Sequence, residues 1–254
     1  MRKRIIALIS FLCYIVCWTQ AADEHYYFKN LSIKDGLSQT TVNAIMQDKK
    51  GFMWFGTKGG LSRYDGMSFR NFKRDMNDNH SLGNNFVTCL YEDKKGNIWV
   101  GTDAGVYIYY PAREIFAPFN LQSKENIQID RTVSAISGDK EGRVWIAVET
   151  QGLFCYDPQK EQLHNYTLNS FSANVQSVTS DNSGTIWVGF YGSGLFYSKD
   201  NLKTLHPYLS PKDGEEVFKD DVIMKIVPVS VVKKISPDIQ SGLIGNFSYG
   251  AGLM

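Results

Sequence analysis

Hydrophobic and polar positions recur along this chain in one order. An apolar run leads into Asp-x-x-Gly, then two further residues, a Trp, a hydrophobic residue and a small one. The tryptophans of the four copies are separated by 45, 46 and 42 residues, and they are Trp54, Trp99, Trp145 and Trp187. Each copy is followed by a Gly and a second apolar run, so every unit predicts the same local structure.

The Asp-x-x-Gly segment predicts a tight turn between two strands. An Asp side chain accepts backbone hydrogen bonds in such a turn, and a Gly adopts the positive φ near its end. The turn glycines are Gly51, Gly96, Gly142 and Gly184. The strands that precede the turns are predicted over Val42–Gln47, Phe86–Glu92, Val133–Gly138 and Val175–Ser180.

Three more strands complete each unit. The second strand carries the Trp, and the third follows the next Gly. A more polar fourth strand is predicted at Ser68–Phe72, Glu114–Phe119, Gln162–Tyr166 and Lys203–Tyr208. Four strands in a repeat of about 40 to 50 residues are typical of one β-propeller blade. We therefore predict an all-β propeller of four-stranded antiparallel blades, with about four complete blades and a partial fifth.

Two positions in the second strand indicate how the blades pack. A small residue stands two places after each Trp, where neighbouring sheets are expected to approach closely. These residues are Gly56, Gly101, Ala147 and Gly189. The four tryptophans are predicted to lie in the core between blades, in preference to a platform for stacking sugars.

Composition and the N-terminus place the chain in a broad class. The chain has 254 residues, 43% of them hydrophobic, and a formal net charge of +1, which describes a globular protein without a bias towards nucleic acid. Arg2, Lys3 and Arg4 precede an apolar stretch of 13 residues, Ile5–Cys17. With small residues before Ala22, this pattern predicts a signal peptide over residues 1–21 and an exported protein. An uncleaved membrane anchor is the alternative.

Cysteine usage adds little to this picture. After removal of residues 1–21 the chain keeps Cys89 and Cys155, in different predicted blades. We expect two unpaired buried thiols in preference to a disulfide, since a propeller core does not need a covalent cross-link.

The repeats resemble the two-component regulator propeller repeat, found in the periplasmic sensor half of bacterial hybrid two-component systems. The resemblance rests on Asp-x-x-Gly-x-x-Trp-x-Gly-Thr followed by Gly-Leu, and on the opening segment Phe28–Ser38, and it covers about residues 24 to 228. It implies a periplasmic location and a lone outer strand near Tyr26–Ile33. Full relatives are expected to continue through more blades, an immunoglobulin-like domain, a membrane span, a histidine kinase, a receiver and often a DNA-binding output.

The pattern changes near the C-terminus. A fifth unit begins at Asp221–Val227, but no Trp follows within Val229–Met254. A degenerate blade, a capping segment and a reading frame broken near Pro228 are all compatible with this change, and we favour the third. The propeller is accordingly placed at 22–228 and an aperiodic tail, not native to the family, at 229–254. An incomplete arc of a larger propeller is expected in preference to a closed ring of four blades.

Loops that vary while the scaffold repeats indicate a recognition surface. In an up-and-down blade, the loop between the second and third strands emerges on the same face as the loop that leads to the next blade. The polar residues predicted to bind a ligand there are Lys58, Asp103, Glu149, Gln151, Tyr191, Asn84, Asn85 and Arg131.

No catalytic constellation is predicted. The four histidines lie in no kinase-like context, and the inner strands carry small neutral side chains where a propeller enzyme needs paired carboxylates. We expect no kinase, receiver or DNA-binding part in this chain, no cofactor and no metal, since the repeated Asp residues lack the further oxygen ligands of a calcium site.

The resemblance implies a sensor of an oligosaccharide that forms a homodimer or pairs with a related sensor, without nucleic acid as a partner and with membrane contact only if residues 1–21 are retained. The alternatives are a stand-alone protein-interaction propeller and a propeller glycosidase or lyase.

Overall fold

Antiparallel strands built around the Asp-x-x-Gly turns form nearly all of the regular structure. The computed structural model describes residues 29–122, 124, 126–166, 174–208, 223–228 and 243–247. The chain separates into two units, Met1–Leu31 and Ser32–Met254, and all described strands belong to the second. The predicted signal peptide lies outside the described residues. Within the described ranges, no helix has the length and apolarity needed to cross a membrane.

The four repeats form four sheets of four strands, each in sequence order and antiparallel. Blade 1 comprises β1 (Val42–Gln47), β2 (Met53–Thr57), β3 (Gly60–Tyr64) and β4 (Phe69–Phe72). Blade 2 comprises β5 (Val87–Glu92), β6 (Ile98–Thr102), β7 (Gly105–Tyr110) and β8 (Ile115–Pro118). Blade 3 comprises β9 (Val133–Gly138), β10 (Val144–Val148), β11 (Gly152–Asp157) and β12 (Gln162–Tyr166). Blade 4 comprises β13 (Val175–Ser180), β14 (Ile186–Phe190), β15 (Gly194–Ser198) and β16 (His206–Pro207).

The predicted all-β propeller fold is confirmed, and the largest difference from the predicted strands is in β16. This strand has two residues, although the sequence predicts Lys203–Tyr208. The Ser198 hydroxyl accepts the backbone N–H of Leu202 at 2.9 Å, and the Asp200 carboxylate accepts that of Thr204 at 3.0 Å. These side-chain bonds hold the segment in a turn, so the strand begins only at His206.

The turn prediction is also confirmed. In blade 1 the Asp48 carboxylate accepts the backbone N–H groups of Lys50 at 3.0 Å and Phe52 at 2.9 Å, and Gly51 has a φ of 92°. Asp93 and Asp181 make the same pair of bonds in blades 2 and 4. The repeated Asp therefore organises each hairpin from within its own sequence.

The same carboxylate also binds the Trp of its repeat. The indole N–H donates to the Asp six residues earlier at 2.8 Å in blade 1, 3.1 Å in blade 2 and 3.0 Å in blades 3 and 4. Burial would raise the pKa of Asp181, but bonds from Ser183, Trp187 and the backbone outweigh burial and hold the pKa below its usual value. We call this contact the Asp–Trp clasp, since it ties the exposed turn to the buried ring.

The core consists of layers between consecutive blades. Trp54 packs with Val87 and Tyr109 of blade 2, and Trp99 packs with Val133 and Tyr156 of blade 3. Trp145 begins the same layer against blade 4. The prediction that the tryptophans are core residues agrees with their burial, at 1%, 2% and 0% exposed for Trp54, Trp99 and Trp145.

Polar side chains link the inner strands of neighbouring blades. Each first strand has an irregular register near its start, at Asn43, Thr88, Ser134 and Gln176. Three of these donate to the backbone carbonyl that begins the next inner strand: Asn43 to Val87 at 2.8 Å, Thr88 to Val133 at 2.6 Å and Ser134 to Val175 at 2.6 Å. Such bulges re-aim a side chain, and here they aim it at the neighbouring blade.

The small residue after the Trp allows this close approach. A Cβ at Gly56 would lie 2.6 Å from Cγ1 of Val87, in the next blade. A Cβ at Gly101 would contact Cys89 and lie 3.0 Å from Cγ1 of Val133. The predicted close packing of neighbouring sheets is therefore confirmed at these two glycines.

The blades form an incomplete propeller. Inner strands pack in sequence, β1 on β5, β5 on β9, and β9 on β13. Within the described residues no blade covers the outer face of blade 1, and Ile45 there is 59% exposed. Ile136 and Val178 occupy the same repeat position in blades 3 and 4, and they are 7% and 4% exposed.

Two terminal segments differ from the repeats. The expected outer strand near Tyr26–Ile33 is not found in its described part: residues 29–32 form no strand, and Ile33–Asp35 is a 3₁₀ turn capped by Ser32. A strand needs a neighbour to satisfy its backbone, and no described strand pairs with this segment. At the other end, β17 (Ile223–Pro228) packs on β13 and pairs with β18 (Leu243–Phe247). The origin of residues 229–254 stays a prediction.

Removal of one clasp should destabilise the propeller. Asp139→Ala leaves the buried Trp145 indole N–H without its acceptor and breaks the 2.6 Å bond from Arg143. Because an unsatisfied buried donor costs about 1–3 kcal/mol, the free energy of unfolding should fall by at least that amount. Asp103→Ala, at an exposed turn, should change it by about 0.5 kcal/mol or less. Urea denaturation followed by Trp fluorescence measures both, and equal effects would contradict a role for the clasp.

Substitution of equivalent isoleucines should lower the free energy of unfolding by different amounts, according to their place in the arc. Ile136→Ala should lower the free energy of unfolding by about 2–5 kcal/mol, because it opens a cavity between blades. Ile45→Ala, on the uncovered face, should change it by about 0.5 kcal/mol or less. The same denaturation experiment compares them. A large loss in Ile45→Ala would show that another surface covers blade 1 in solution.

Candidate functional site

The ends of the strands form two faces. In each blade the turn between the second and third strands lies beside the loop that connects consecutive blades. We call this side of the propeller the loop face. The backbone N–H of Gly60 donates to the carbonyl of Asn85 at 2.8 Å, and that of Gly105 donates to Arg131 at 3.1 Å. The Asp-x-x-Gly turns emerge at the opposite ends of the same strands, on the turn face. The predicted placement of both loop sets on one face is confirmed.

One position of the loop face has a repeated backbone and a varied side chain. It directly follows the Trp strand, and its occupants in blades 1 to 4 are Lys58, Asp103, Glu149 and Tyr191. In blades 2 to 4 the backbone N–H at this position donates to the connecting loop just before the first strand, at 3.2, 2.9 and 3.0 Å. The fold therefore presents a cation, two carboxylates and a phenol from equivalent sites.

Buried threonines shape two of these turns. Thr57 Oγ1 donates to the carbonyl of Gly60 at 2.8 Å and accepts the N–H of Gly59 at 3.0 Å. Thr102 makes the corresponding bonds with Gly105 and Ala104, at 2.8 and 3.2 Å. Both threonines are fully buried, and their hydrogen bonds stabilise the turns that carry Lys58 and Asp103.

The structure brings one group of predicted residues together around Phe86. The ammonium of Lys58 lies 5.4 Å from the ring centre, and Asp103 donates its N–H to the Phe86 carbonyl. The Asn84 side chain accepts the Phe86 N–H at 2.7 Å, and the Asn85 side chain accepts that of Arg74 at 2.7 Å. The two asparagine oxygens thus order the connecting loop.

A second group lies around Asp130. Gln151 accepts the Asp130 N–H at 3.4 Å and donates to the carbonyl of Gln128 at 2.9 Å. Arg131 is exposed and lies 3.8 Å from the Asp130 carboxylate. Gln151 therefore holds the loop, while Arg131 projects its charge into solvent. Tyr191 stands apart in blade 4, where its side chain is 55% exposed.

Sequence reasoning missed a pocket on the turn face. It has a volume of about 340 Å³ and lies between blades 2 and 3, above Trp99. Its walls combine aromatic rings with charged turn residues, including Tyr110, Tyr156 and Glu141. The signal for it is a departure from the neighbouring repeats at the two positions that flank the Trp, at Asn97 and Ile108.

Little in the described residues favours covalent or metal chemistry. No group of three or more His, Cys, Asp or Glu side chains within the described ranges could hold a metal ion. Cys155 is a free, buried thiol as expected, whereas Cys89 is only partly buried and so differs from the expectation. Above all, burial raises the pKa of the Cys155 thiol to about 12, so the thiol stays protonated and is a poor nucleophile near neutral pH.

The comparisons with known proteins agree with the repeat pattern. Residues 36–59 and 81–104 match the family model of the two component regulator propeller. Each match runs from a connecting loop, through an inner strand and its turn, to the loop after the Trp strand. The matched segments therefore contain Lys58, Asn84, Asn85 and Asp103 of the loop face.

Three similar proteins give the wider context. Histidine kinase P4 from Formosa agariphila is 36% identical over 77 residues, which are 30% of this chain and 5% of that protein. The extracellular domain of a protein assigned as a hybrid two component system from B. thetaiotaomicron is 24% identical, with a TM-score of 0.65 over 75% of this chain and 27% of that one. A virginiamycin B lyase from Staphylococcus aureus is 14% identical, with a TM-score of 0.55 over 73% and 60%. The two structural likenesses show the fold, and this chain spans less than two thirds of each protein.

The raised pKa of Cys155 predicts a protected thiol. At pH 8 the folded protein should not react with a thiol reagent such as DTNB at Cys155, and it should react once denatured. Because folding raises this pKa, the folded state holds the proton more tightly, so stability is lost as pH rises from the ordinary thiol range towards 12. Peptide mapping of the labelled protein identifies the cysteine. Rapid labelling of native Cys155 would contradict its burial.

Proposed function

We propose that this chain, which carries the propeller repeats of two-component regulators, is the ligand-sensing part of an exported signal-transduction protein. Its ligand is an oligosaccharide bound at the loop face, and its action is binding rather than catalysis. The repeats at 36–59 and 81–104 and the similarity to a histidine kinase support the assignment to signalling. The resemblance of the fold to an extracellular domain supports export.

The observation that carries the proposal is the equivalent position occupied by Lys58, Asp103, Glu149 and Tyr191. Its backbone bond to the connecting loop is repeated in blades 2 to 4, while its side chains differ in charge and shape in all four blades. A scaffold that presents varied polar groups from rigid turns suits a ligand with many hydroxyl groups, because these both donate and accept hydrogen bonds. A mixture of both charge signs does not suit a polyanion such as nucleic acid.

Export and location rest on the N-terminus. Residues 1–21 have the charged start, apolar stretch and small residues of a signal peptide, and a periplasmic location follows from the bacterial sensors that the repeats resemble. In this proposal the membrane is contacted only if that segment is retained.

In this proposal the signal is a change in the populations of two conformational states. A ligand shifts an equilibrium only by its different affinities for two states. We infer that the two states are two arrangements of paired subunits, either two copies of this chain or this chain and a related sensor. Oligosaccharide at the loop face would favour one arrangement.

The inner strands support binding over catalysis. Asn43, Thr88 and Ser134 are neutral, and each already donates to a backbone carbonyl of the next blade. A propeller glycosidase would need paired acids at the central channel. The exposed Ile45 face of blade 1 keeps a stand-alone protein-interaction propeller as the second candidate.

Titration of oligosaccharides against the purified full chain tests the proposal. Calorimetry should find at least one that binds, and Lys58→Ala together with Tyr191→Ala should weaken binding at least tenfold, because both side chains project from the loop face. Lys203→Ala, an exposed lysine in the β15–β16 turn, is the matched control and should leave the affinity unchanged.

Mass spectrometry of the incubated sugars separates the alternatives. Intact sugars with weakened binding in the loop-face variant support the sensor. Cleaved sugars would favour the glycosidase or lyase. An absence of sugar binding, together with concentration-dependent self-association that Ile45→Lys abolishes, would favour the interaction propeller.

A further inference from the structure

The pocket above Trp99 lies at a repeat position that two other blades fill with an arginine. It opens on the turn face between blades 2 and 3 and has a volume of about 340 Å³, within the range of small-ligand sites. Its walls include Asn97, Trp99, Ile108, Tyr110, Glu141 and Tyr156. The contents of the equivalent spaces in the other blades indicate what fits here.

In blade 1 the space above the Trp holds the guanidinium of Arg63. Arg63 stands opposite Trp54 on the third strand. Its guanidinium carbon lies 5.8 Å from the centre of the Trp54 ring and 4.6 Å from that of Phe52. These distances allow a cation–π interaction with both rings.

In blade 3 a guanidinium reaches the same place from another strand. Arg143 stands two residues before Trp145, and its guanidinium carbon lies 5.5 Å from the indole centre. Its Nε donates to Asp139 at 2.6 Å, the carboxylate that also accepts the Trp145 indole N–H. Its terminal nitrogen donates to Asn201 at 2.8 Å. The Asp139 carboxylate thus accepts hydrogen bonds both from the indole and from the guanidinium above it.

Blade 4 fills the space with aromatic rings, since Tyr197 stands opposite Trp187 with ring centres 5.4 Å apart and Tyr208 lies at 5.6 Å. In blade 2 the two arginine positions hold Ile108 and Asn97. Asn97 donates to the clasp carboxylate of Asp93 at 3.0 Å. The Trp99 ring is 2% exposed and packs with Phe119 and Tyr156 in place of a guanidinium. The lining of the pocket contains no arginine, and the pocket opens beside the ring of Trp99.

We propose that this pocket binds a guanidinium group supplied by a ligand, either an arginine side chain of a peptide or a small guanidino compound. The carboxylates of Asp93 and Glu141 line the pocket, and that of Glu141 also accepts from Arg143 at 3.3 Å. The partly exposed rings of Tyr110 and Tyr156 provide the aromatic faces. A guanidinium is planar, and it both stacks on rings and donates to carboxylates.

Two lysines also line the pocket and must be accounted for. The ammonium of Lys94 donates to the backbone carbonyl of Lys140 in blade 3, which directs its charge along the rim. Lys95 is exposed, and its backbone N–H donates to Asp93. Both lysines are exposed, whereas the carboxylate of Asp93 accepts the indole N–H of Trp99.

Calorimetric titration of the full chain tests the proposal with matched ligands. N-acetyl-arginine amide should bind saturably, and the citrulline analogue, which has the same shape without the charge, should bind at least tenfold more weakly. The lysine analogue should also bind more weakly, because an ammonium cannot stack as a plane. An Arg-containing tripeptide that binds more tightly than the amide indicates a peptide ligand, and equal affinities indicate a small guanidino compound.

Variants locate the site and keep the test decisive. Asn97→Arg places the residue of blade 3 in blade 2 and should abolish binding with no fall in Tm. Glu141→Gln, at an exposed turn, should weaken binding several-fold, and Lys58→Ala on the loop face should have no effect. Absence of binding, equal affinity for the citrulline analogue, or unchanged affinity in both pocket variants would overturn the proposal. These outcomes are independent of sugar binding at the loop face.

Discussion

The bond between the repeated Asp and the Trp six residues later is the contact on which the rest of the propeller depends. A buried indole needs an acceptor for its N–H, and a bare Asp in a hairpin turn needs donors. The indole N–H donates to the Asp carboxylate, because the turn holds the carboxylate beside the ring nitrogen. The ring then packs against the next blade, so a local turn fixes the position of a long-range core contact.

Close approach at the centre follows from the same geometry. With the Trp strand held in place, the small residue after the Trp faces the inner strand of the next blade, and a Cβ there would overlap Val87 or Val133. Bulged polar residues of the inner strands then reach the neighbouring backbone. Each blade is therefore matched to its successor, and the first blade of the series has an apolar face without a described partner.

Function is assigned to the parts that the scaffold leaves free to vary. On the loop face a repeated backbone presents Lys58, Asp103, Glu149 and Tyr191, which suits recognition of a polar ligand. On the turn face Arg63, Arg143 or tyrosine rings lie over the Trp in three blades, and in blade 2 a pocket lies beside it. We propose that the two faces bind different ligands, a sugar on the loop face and a guanidinium on the turn face.

The amino-acid sequence by itself determined the blades, their turns, the buried tryptophans and the residues of the loop face, because these depend on local signals repeated four times. It also located Asn84, Asn85 and Gln151 on that face, but not their use in ordering the loops. The tertiary structure decided the short β16, the absence of an outer strand at residues 29–32, the clasp and the pocket above Trp99. The short β16 and the clasp are made by side chains four and six residues apart, whose bonds a strand pattern does not reveal. Residues 29–32 have no described strand to pair with. The pocket depends on contacts between segments about one repeat apart, such as Tyr156 against Trp99, so only the packing of two blades decides that it forms.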